Sequence, residues 1–207
     1  NACKAMAASP TPRPTPNKLY APLAGNPAAV ALSSGVRIPP FPPIGVAYSG
    51  GADSAALLLA AAARWPGQVH AIHIHHGLQA AADGFVRVCE SVCASIDVAL
   101  HVVHVDASAS TGESPEDAAR KARYIALSKE ARRAGVTGVL LGQHADDQVE
   151  TLLLALSRGA GLPGLSGMGP QFEREGVQFY RPLLQTSAAD LRAWVVDQEI
   201  AFVDDPT

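Results

Sequence analysis

A short apolar run that stops in small residues and restarts as a helix constrains this chain most. Residues 44–48 (Ile-Gly-Val-Ala-Tyr) are apolar, Gly50-Gly51 break the run, and 54–64 is Ala/Leu-rich and helical in character. The alternation then repeats. Residues 69–74 form a second β-like run, ended by His76-Gly77. Residues 83–96 carry apolar side chains at 85, 86, 88, 89, 92, 93 and 96, which is helical spacing. Residues 100–105 read as a third strand, and 139–141 as a fourth. Between them Ser114-Pro115-Glu116-Asp117 opens a long helix that ends near Gly135. There Ser caps, Pro takes the first helical position, and the acids favour the positive end of the dipole. A fourth helix follows over 146–157. Strands that are continuous apolar runs, each followed by a helix, predict an α/β fold: an open, mainly parallel sheet with helices on both faces.

The pattern changes at either end. Gly159, Gly161, Gly164, Gly167 and Gly169 crowd together, then a hairpin is expected over 172–180 and a helix over 187–198. At the front, ten of the 16 prolines lie in 1–43, with Lys4, Arg13, Lys18 and Arg37 and no acid. Proline lacks the N–H that helices and sheets need, so 1–18 is expected to be disordered or extended. A short helix near 28–32 fits the rest of that stretch. The expected organisation is a Pro-rich tail over 1–43 and a single domain over 44–207.

Of the 207 residues 48% are hydrophobic and 17% charged, which excludes global disorder. No apolar run reaches the roughly 18 residues that span a bilayer, so no membrane partner is expected. Three cysteines make no disulfide framework and suit a reducing, cytoplasmic setting. The net charge of −3 conceals an uneven spread, since the cationic front leaves 12 basic against 19 acidic residues, or −7, on the body.

Ser49-Gly50-Gly51-Ala52-Asp53-Ser54 places small residues at a strand-to-helix turn. In an open parallel sheet, ligands bind at the C-terminal ends of the strands. Glycines let backbone N–H groups approach an anion, the helix dipole favours negative charge, and Ser49 and Ser54 add hydroxyl donors. The loop lacks the Lys of a Walker motif and the dinucleotide-binding glycine spacing. Asp53 would repel phosphate unless a cation lay between them, which points to Mg²⁺ on a polyphosphate. A tight turn with a helix cap satisfies the same spacing.

A second constellation, Gly142-Gln143-His144-Ala145-Asp146-Asp147-Gln148-Val149-Glu150-Thr151, follows the fourth strand. It falls at another strand C-terminus, hence near the same crevice. Asp146 and Glu150 are four apart on one helix, and Asp147 and Glu150 three apart. Like charges so spaced are unfavourable unless a cation, Mg²⁺ or an ammonium group, offsets them. An acidic first turn on a solvated helix is the plainer reading.

The glycine loop resembles the pyrophosphate loop of N-type PP-loop ATPases, which cut ATP between the α and β phosphates. Five ordered blocks are similar to the tRNA(Ile)-lysidine synthetase family: the loop, Ile74-His75-His76-Gly77-Leu78, Ala119-Arg120 to Arg123-Tyr124, the Asp-Asp-Gln-Val-Glu block with Arg158-Gly159-Ala160-Gly161, and Arg181-Pro182-Leu183-Leu184. The resemblance implies a Rossmann-like PP-loop fold and an ATP-dependent ligase. Its substrates would be ATP, free L-lysine and a tRNA(Ile) with a CAU anticodon. ATP would adenylate the C2 carbonyl of the wobble cytidine, and lysine would then displace AMP to form lysidine. It implies ATP contacts from Ser49, Gly50, Gly51, Ala52, Asp53, Ser54, His73 and Ile74, with Asp53 at Mg²⁺. Catalysis would fall to Asp53, Arg120, His144, Asp147 and Glu150. Lysine would be held by Asp146, Asp147 and Glu150, and tRNA by Arg158, Gly159 and Gly161. The alternatives are another PP-loop ligase or tRNA thiolase, or an ATP-binding module without ligase chemistry; a homodimer is left open. The family continues past Asp205-Pro206-Thr207, so the chain reads as a piece of an enzyme.

Other residues read as structural. Cys89 and Cys93, four apart on an amphipathic helix, are expected to be small core residues, and the sequence has no Cys-x-x-Cys pair of the kind related thiolases use for a cluster. His73, His75 and His76 are read as shaping a nucleotide pocket, not as zinc ligands. The run Arg120, Lys121, Arg123, Lys129, Arg132, Arg133 contains a single acid, Glu130, and suits either a solvated helix face or an RNA backbone.

Overall fold

The structure, a computed structural model, describes residues 25–34, 42–75, 82–105, 114–159, 161 and 166–204. The expected N-terminal lead over 1–18, His76-Gly77-Leu78, Ala160, Gly164 and Asp205-Pro206-Thr207 lie outside the described residues. In chain order the elements are α1 (Pro27–Ser34), β1 (Ile44–Ala47), α2 (Ala52–Arg64), β2 (Val69–His75), α3 (Ala82–Ser95) and β3 (Ala99–His104). They continue as α4 (Pro115–Arg133), β4 (Gly138–Leu140), α5 (Ala145–Ser157), β5 (Gln171–Arg174), β6 (Val177–Tyr180) and α6 (Ala188–Asp197).

The six strands form one sheet in the order β3-β2-β1-β4-β6-β5. Every neighbouring pair is parallel except β5 and β6, the hairpin at one edge. Parallel pairing requires a crossover between strands, and α2, α3, α4 and α5 supply those crossovers. The helices cover both faces. On one face α1, α2, α3 and α6 enclose Ile44, Val46, Leu57, Leu58, Cys89 and Leu191. On the other, α4 lays Tyr124, Leu127 and Ala131 against Ile72, Val139 and Phe179.

Helix α2 explains why its sequence is so rich in alanine. Ten of its 13 residues are buried, because α1, α6 and the sheet all press on it. Small side chains allow that close approach on every side. Helix α1 lies inside the stretch read as a tail, yet it belongs to the packed body. Ala28 and Leu32 are in the core, and the Asn26 amide donates to the Ala56 carbonyl at 3.1 Å. The expected helix near 28–32 is thus present, and what the proline-rich context concealed is its packing, because its apolar signal spans only two turns. Helix α4 carries the cationic run on its exposed side, while Ala118, Tyr124, Leu127 and Ala131 face inward. Cys89 and Cys93 are buried free thiols, and burial pushes both up to about 12.

Among the described residues no helix is long and apolar enough to cross a membrane.

Candidate functional site

Strand order places the site. The chain leaves β1 toward β2 on one side, and β4 pairs with β1 on the other. Crossovers therefore diverge at the β1/β4 boundary, and a crevice opens beyond the C-terminal ends of these two strands. The glycine loop after β1 and the Gly142–Asp147 segment after β4 are its walls. The resulting cavity holds about 630 Å³.

The loop is compact and internally bonded. Gly51 is the N-cap of α2. Ser49 Oγ and Ser54 Oγ are 3.0 Å apart, Ser54 Oγ donates to the Gly51 carbonyl at 3.0 Å, and the Gly51 N–H points to Ser49 Oγ at 3.3 Å. Gly50 has φ +95°, and a Cβ there would stand 3.2 Å from the Cys89 sulfur. Both facts require glycine. The preceding strand is anchored at its end: the Tyr48 N–H donates to Ile72, and the Tyr48 carbonyl lies 2.9 Å from His73 Nδ1. That bond to a carbonyl makes Nδ1 the protonated nitrogen. Burial lowers the His73 pKa, so the ring is held neutral.

The second wall meets the first at a glycine. A Cβ on Gly142 would lie 3.3 Å from the Ser54 nitrogen and 3.4 Å from its Cα. These are backbone atoms of a buried helix and cannot move aside. Gly142 thus sets how closely β4 approaches the start of α2. His144 follows as the N-cap of α5. Its backbone N–H donates to Asp147 Oδ2 at 2.8 Å, and its Nε2 stands 3.6 Å from Asp53 Oδ2 across the crevice. Among the described residues its buried Nδ1 has no hydrogen-bond partner, and carboxylates of Asp147 and Asp146 lie at 3.5 and 3.6 Å. Burial raises the Asp53 pKa; His144 and a backbone hydrogen bond oppose the shift, while the Asp147 and Asp146 carboxylates add to it. Three acids and one imidazole converge here.

The expected site residues divide into groups. Ser49, Gly51, Asp53, Ser54, His73, Ile74, Arg120, His144 and Asp147 line one cavity, and Gly50 and Ala52 complete the loop's backbone. Asp146 stands beside His144, but its carboxylate also accepts the Ala188 N–H at 2.8 Å, capping α6. Glu150 is exposed one turn further along α5, outside the cavity lining. Arg158, Gly159 and Gly161 are exposed beyond the end of α5 and also lie outside it. The sequence set Asp146 and Asp147 on one helix face with Glu150; in the structure Asp147 stands against His144 and Glu150 lies away from both the cavity lining and that contact. The helix begins at Ala145, so its first turn folds back on its own cap.

Sequence reasoning missed four contributors. Arg123 and Tyr124 line the cavity beside Arg120. Gly142 stands between strand and helix in the sequence, but its contact with Ser54 is visible only in the fold. Arg181 is 7% exposed. It bonds the side chain of Gln143 and the Gly169 carbonyl and packs 4.2 Å over the Phe172 ring. Burial lowers its pKa.

Asp53 can share one Mg²⁺ with a polyphosphate, because that ion needs only one or two carboxylates beside phosphate oxygens. Among the described residues no group of three or more His, Cys, Asp or Glu makes a protein-only metal cage. The donor set therefore fits an ion brought with a nucleotide.

The PP-loop domain family matches residues 25–207. The chain is 66% identical over 195 residues to a tRNA(Ile)-lysidine synthase of Polaromonas naphthalenivorans, covering 91% of this chain and 59% of that protein. It is 44% identical over 186 residues to the tRNA(Ile)-lysidine synthase of Ralstonia nicotianae, covering 87% and 39%. The chain thus spans between about two fifths and three fifths of the length of these relatives. Among solved structures, the U34-tRNA thiolase NcsA from Methanococcus maripaludis with its 4Fe-4S cluster superposes with TM-score 0.67 at 15% identity, covering 79% of this chain and 59% of that one. A phosphoadenylyl-sulfate reductase from Candida auris superposes with TM-score 0.52 at 16% identity, covering 84% and 81%. At such identities the likeness is one of fold.

Proposed function

Because the chain belongs to the PP-loop domain family, we propose that it binds ATP in the β1/β4 crevice and forms lysidine on a tRNA(Ile). The observation that carries the reading is the meeting of two loops. Donors of the glycine loop face one wall, and 3.6 Å across from Asp53 the His144 imidazole stands among carboxylates. The first half suits a polyphosphate. The second suits a cationic amine. The identity to tRNA(Ile)-lysidine synthases supports lysine and tRNA as the partners.

The chemistry follows in two displacements. The C2 carbonyl oxygen of the wobble cytidine in a CAU anticodon attacks the α-phosphorus of ATP, and pyrophosphate leaves. The Gly51 N–H, Ser49, Ser54 and the dipole of α2 hold the departing phosphates, as Gly50 and Ala52 shape the turn. Lysine Nε then attacks C2, the C–O bond to AMP breaks, and the proton lost from the ammonium goes to a carboxylate or to His144. Asp147 lines the cavity and is the first candidate for the ammonium. Asp146 and Glu150 extend that acidic edge toward the rim. Arg120 faces the phosphates from α4, and His73 and Ile74 face the base from the end of β2. Mg²⁺ at Asp53 would neutralise phosphate charge. Arg158, Gly159 and Gly161 offer a backbone-accessible, cationic segment to the RNA. A reducing cytoplasm is the compartment in which two free thiols and a tRNA substrate meet.

The test uses the protein as its gene encodes it, with ATP, L-lysine and tRNA. AMP release that requires both lysine and a CAU-anticodon tRNA(Ile) is the expected result. AMP release that is indifferent to lysine and to the tRNA removes the reading.

A further inference from the structure

Residues after α6 return to the glycine loop. Ile200 is buried, and Phe202, Val203 and Asp204 then run past the crevice. The Val203 N–H donates to the Gly50 carbonyl at 2.9 Å, and Val203 lines the cavity. Arg192 on α6 holds both neighbours of Val203. Its guanidinium makes a two-armed ion pair with Asp204, with Nη2 to Oδ2 at 2.8 Å, and packs 4.9 Å over the Phe202 ring. Asp204, and more weakly Asp53, holds the Arg192 guanidinium above its ordinary range.

A trans peptide points its C=O and N–H in opposite directions. Fixing the Gly50 carbonyl outward on Val203 therefore fixes the next N–H, that of Gly51, inward toward Ser49 Oγ and the cradle. Glycine at φ +95° has no side chain to hinder the flip of this plane, and within the loop it is held only by the long 3.3 Å bond from the Gly51 N–H to Ser49 Oγ, so the shorter Val203 bond is the firmer hold. We propose that the 202–204 segment is a positioning strap for the phosphate loop: Val203 holds the Gly50–Gly51 peptide with its donor facing the polyphosphate, and the Arg192–Asp204 pair holds Val203. This rests on ATP binding in the crevice. Arg192, Val203 and Asp204 are positioning residues; none is assigned a contact with the reacting atoms.

Equilibrium binding of ATP and of AMP to the intact protein tests the strap, using Arg192→Ala, Asp204→Ala, Arg192→Lys and Val203→Pro. Proline removes the N–H that holds Gly50, so Val203→Pro is expected to weaken ATP binding about tenfold. Arg192→Ala and Asp204→Ala each weaken it about threefold, Arg192→Lys less, and AMP, which lacks the β and γ phosphates, changes least. The two alanine variants separate the strap from direct electrostatics. Losing Asp204 leaves a free cation near the phosphates and would tighten ATP if charge alone acted, whereas the strap weakens ATP in both. Opposite signs, or no change in any variant, overturn the proposal. Hydrogen exchange at the Val203 amide gives a readout without nucleotide. Faster exchange in Arg192→Ala and Asp204→Ala is expected, and unchanged protection overturns the strap. Wild-type protein that binds no ATP would instead remove the functional reading, leaving the exchange result to decide the strap.

Discussion

The two ends of the sheet use the same residue types and leave them in opposite conditions. At the N-terminal end of the strands, His70 on β2, His101 on β3 and Glu130 and Arg133 on α4 form a chain. His70 Nδ1 lies 2.9 Å from His101 Nε2, His101 Nδ1 lies 2.8 Å from Glu130, and Glu130 meets Arg133 at 2.7 Å. Every charge there has a neighbour of opposite sign or a bond. The Arg133 hydrogen bond, with His101, holds the Glu130 pKa below its ordinary range against the effect of burial. At the C-terminal end, His144 Nδ1 is buried without a hydrogen bond and Asp53 is raised by burial, with two further carboxylates adding to the shift. One end is a finished structural network. The other holds an imidazole nitrogen without a hydrogen bond among the described residues and a carboxyl group that burial penalises, which is how binding sites differ from structural ion pairs.

Substitutions sharpen that contrast. Asp53→Asn is expected to lower ATP-dependent turnover about a thousandfold, measured as AMP release, because a charge facing the phosphates is lost. Gly142→Ala pushes a Cβ against the backbone of Ser54. It should reduce turnover about tenfold to a hundredfold through misplacement of the two walls, and cost about 1–3 kcal/mol in chemical denaturation. Glu130→Ala breaks the finished end. It should cost about 1–3 kcal/mol in stability and leave turnover within about twofold at a temperature where the variant is folded. The sign of its pH dependence is fixed. A carboxylate with a lowered folded pKa stabilises above the ordinary glutamate range, and the benefit is lost as pH falls through the lowered value. The gap between wild type and Glu130→Ala should therefore close in acid. Arg158→Ala should act least, lowering the salt slope of tRNA binding by about one unit.

Much of this was legible in the residues. The parallel α/β sheet could be read because apolar runs and helical spacing alternate, and the phosphate loop because small residues interrupt one such junction. What escaped has a common cause. His144 faces Asp53 only because β1 and β4 are neighbours, and that adjacency is not local in the chain. The helix near 28–32 was legible, but its place in the packed body was not, since its two buried residues, Ala28 and Leu32, acquire meaning only against α2. The return of Val203 to Gly50 spans the whole domain and leaves no periodic trace. Asp146 and Asp147 stand beside His144 and Glu150 lies outside the cavity lining, a partition that depends on where α5 begins.

The stability of Asp53→Asn as a function of pH tests the contrast most directly. A carboxyl group whose pKa is raised on folding weakens the fold as pH climbs from the ordinary aspartate range through the raised value, and asparagine escapes this. The account predicts that the ligand-free variant is more stable than wild type at pH 7, that the difference vanishes in acid below the ordinary aspartate range, and that turnover is lost. A variant less stable than wild type at pH 7 would contradict it, because Asp53 would then be as fully satisfied by the fold as Glu130 is.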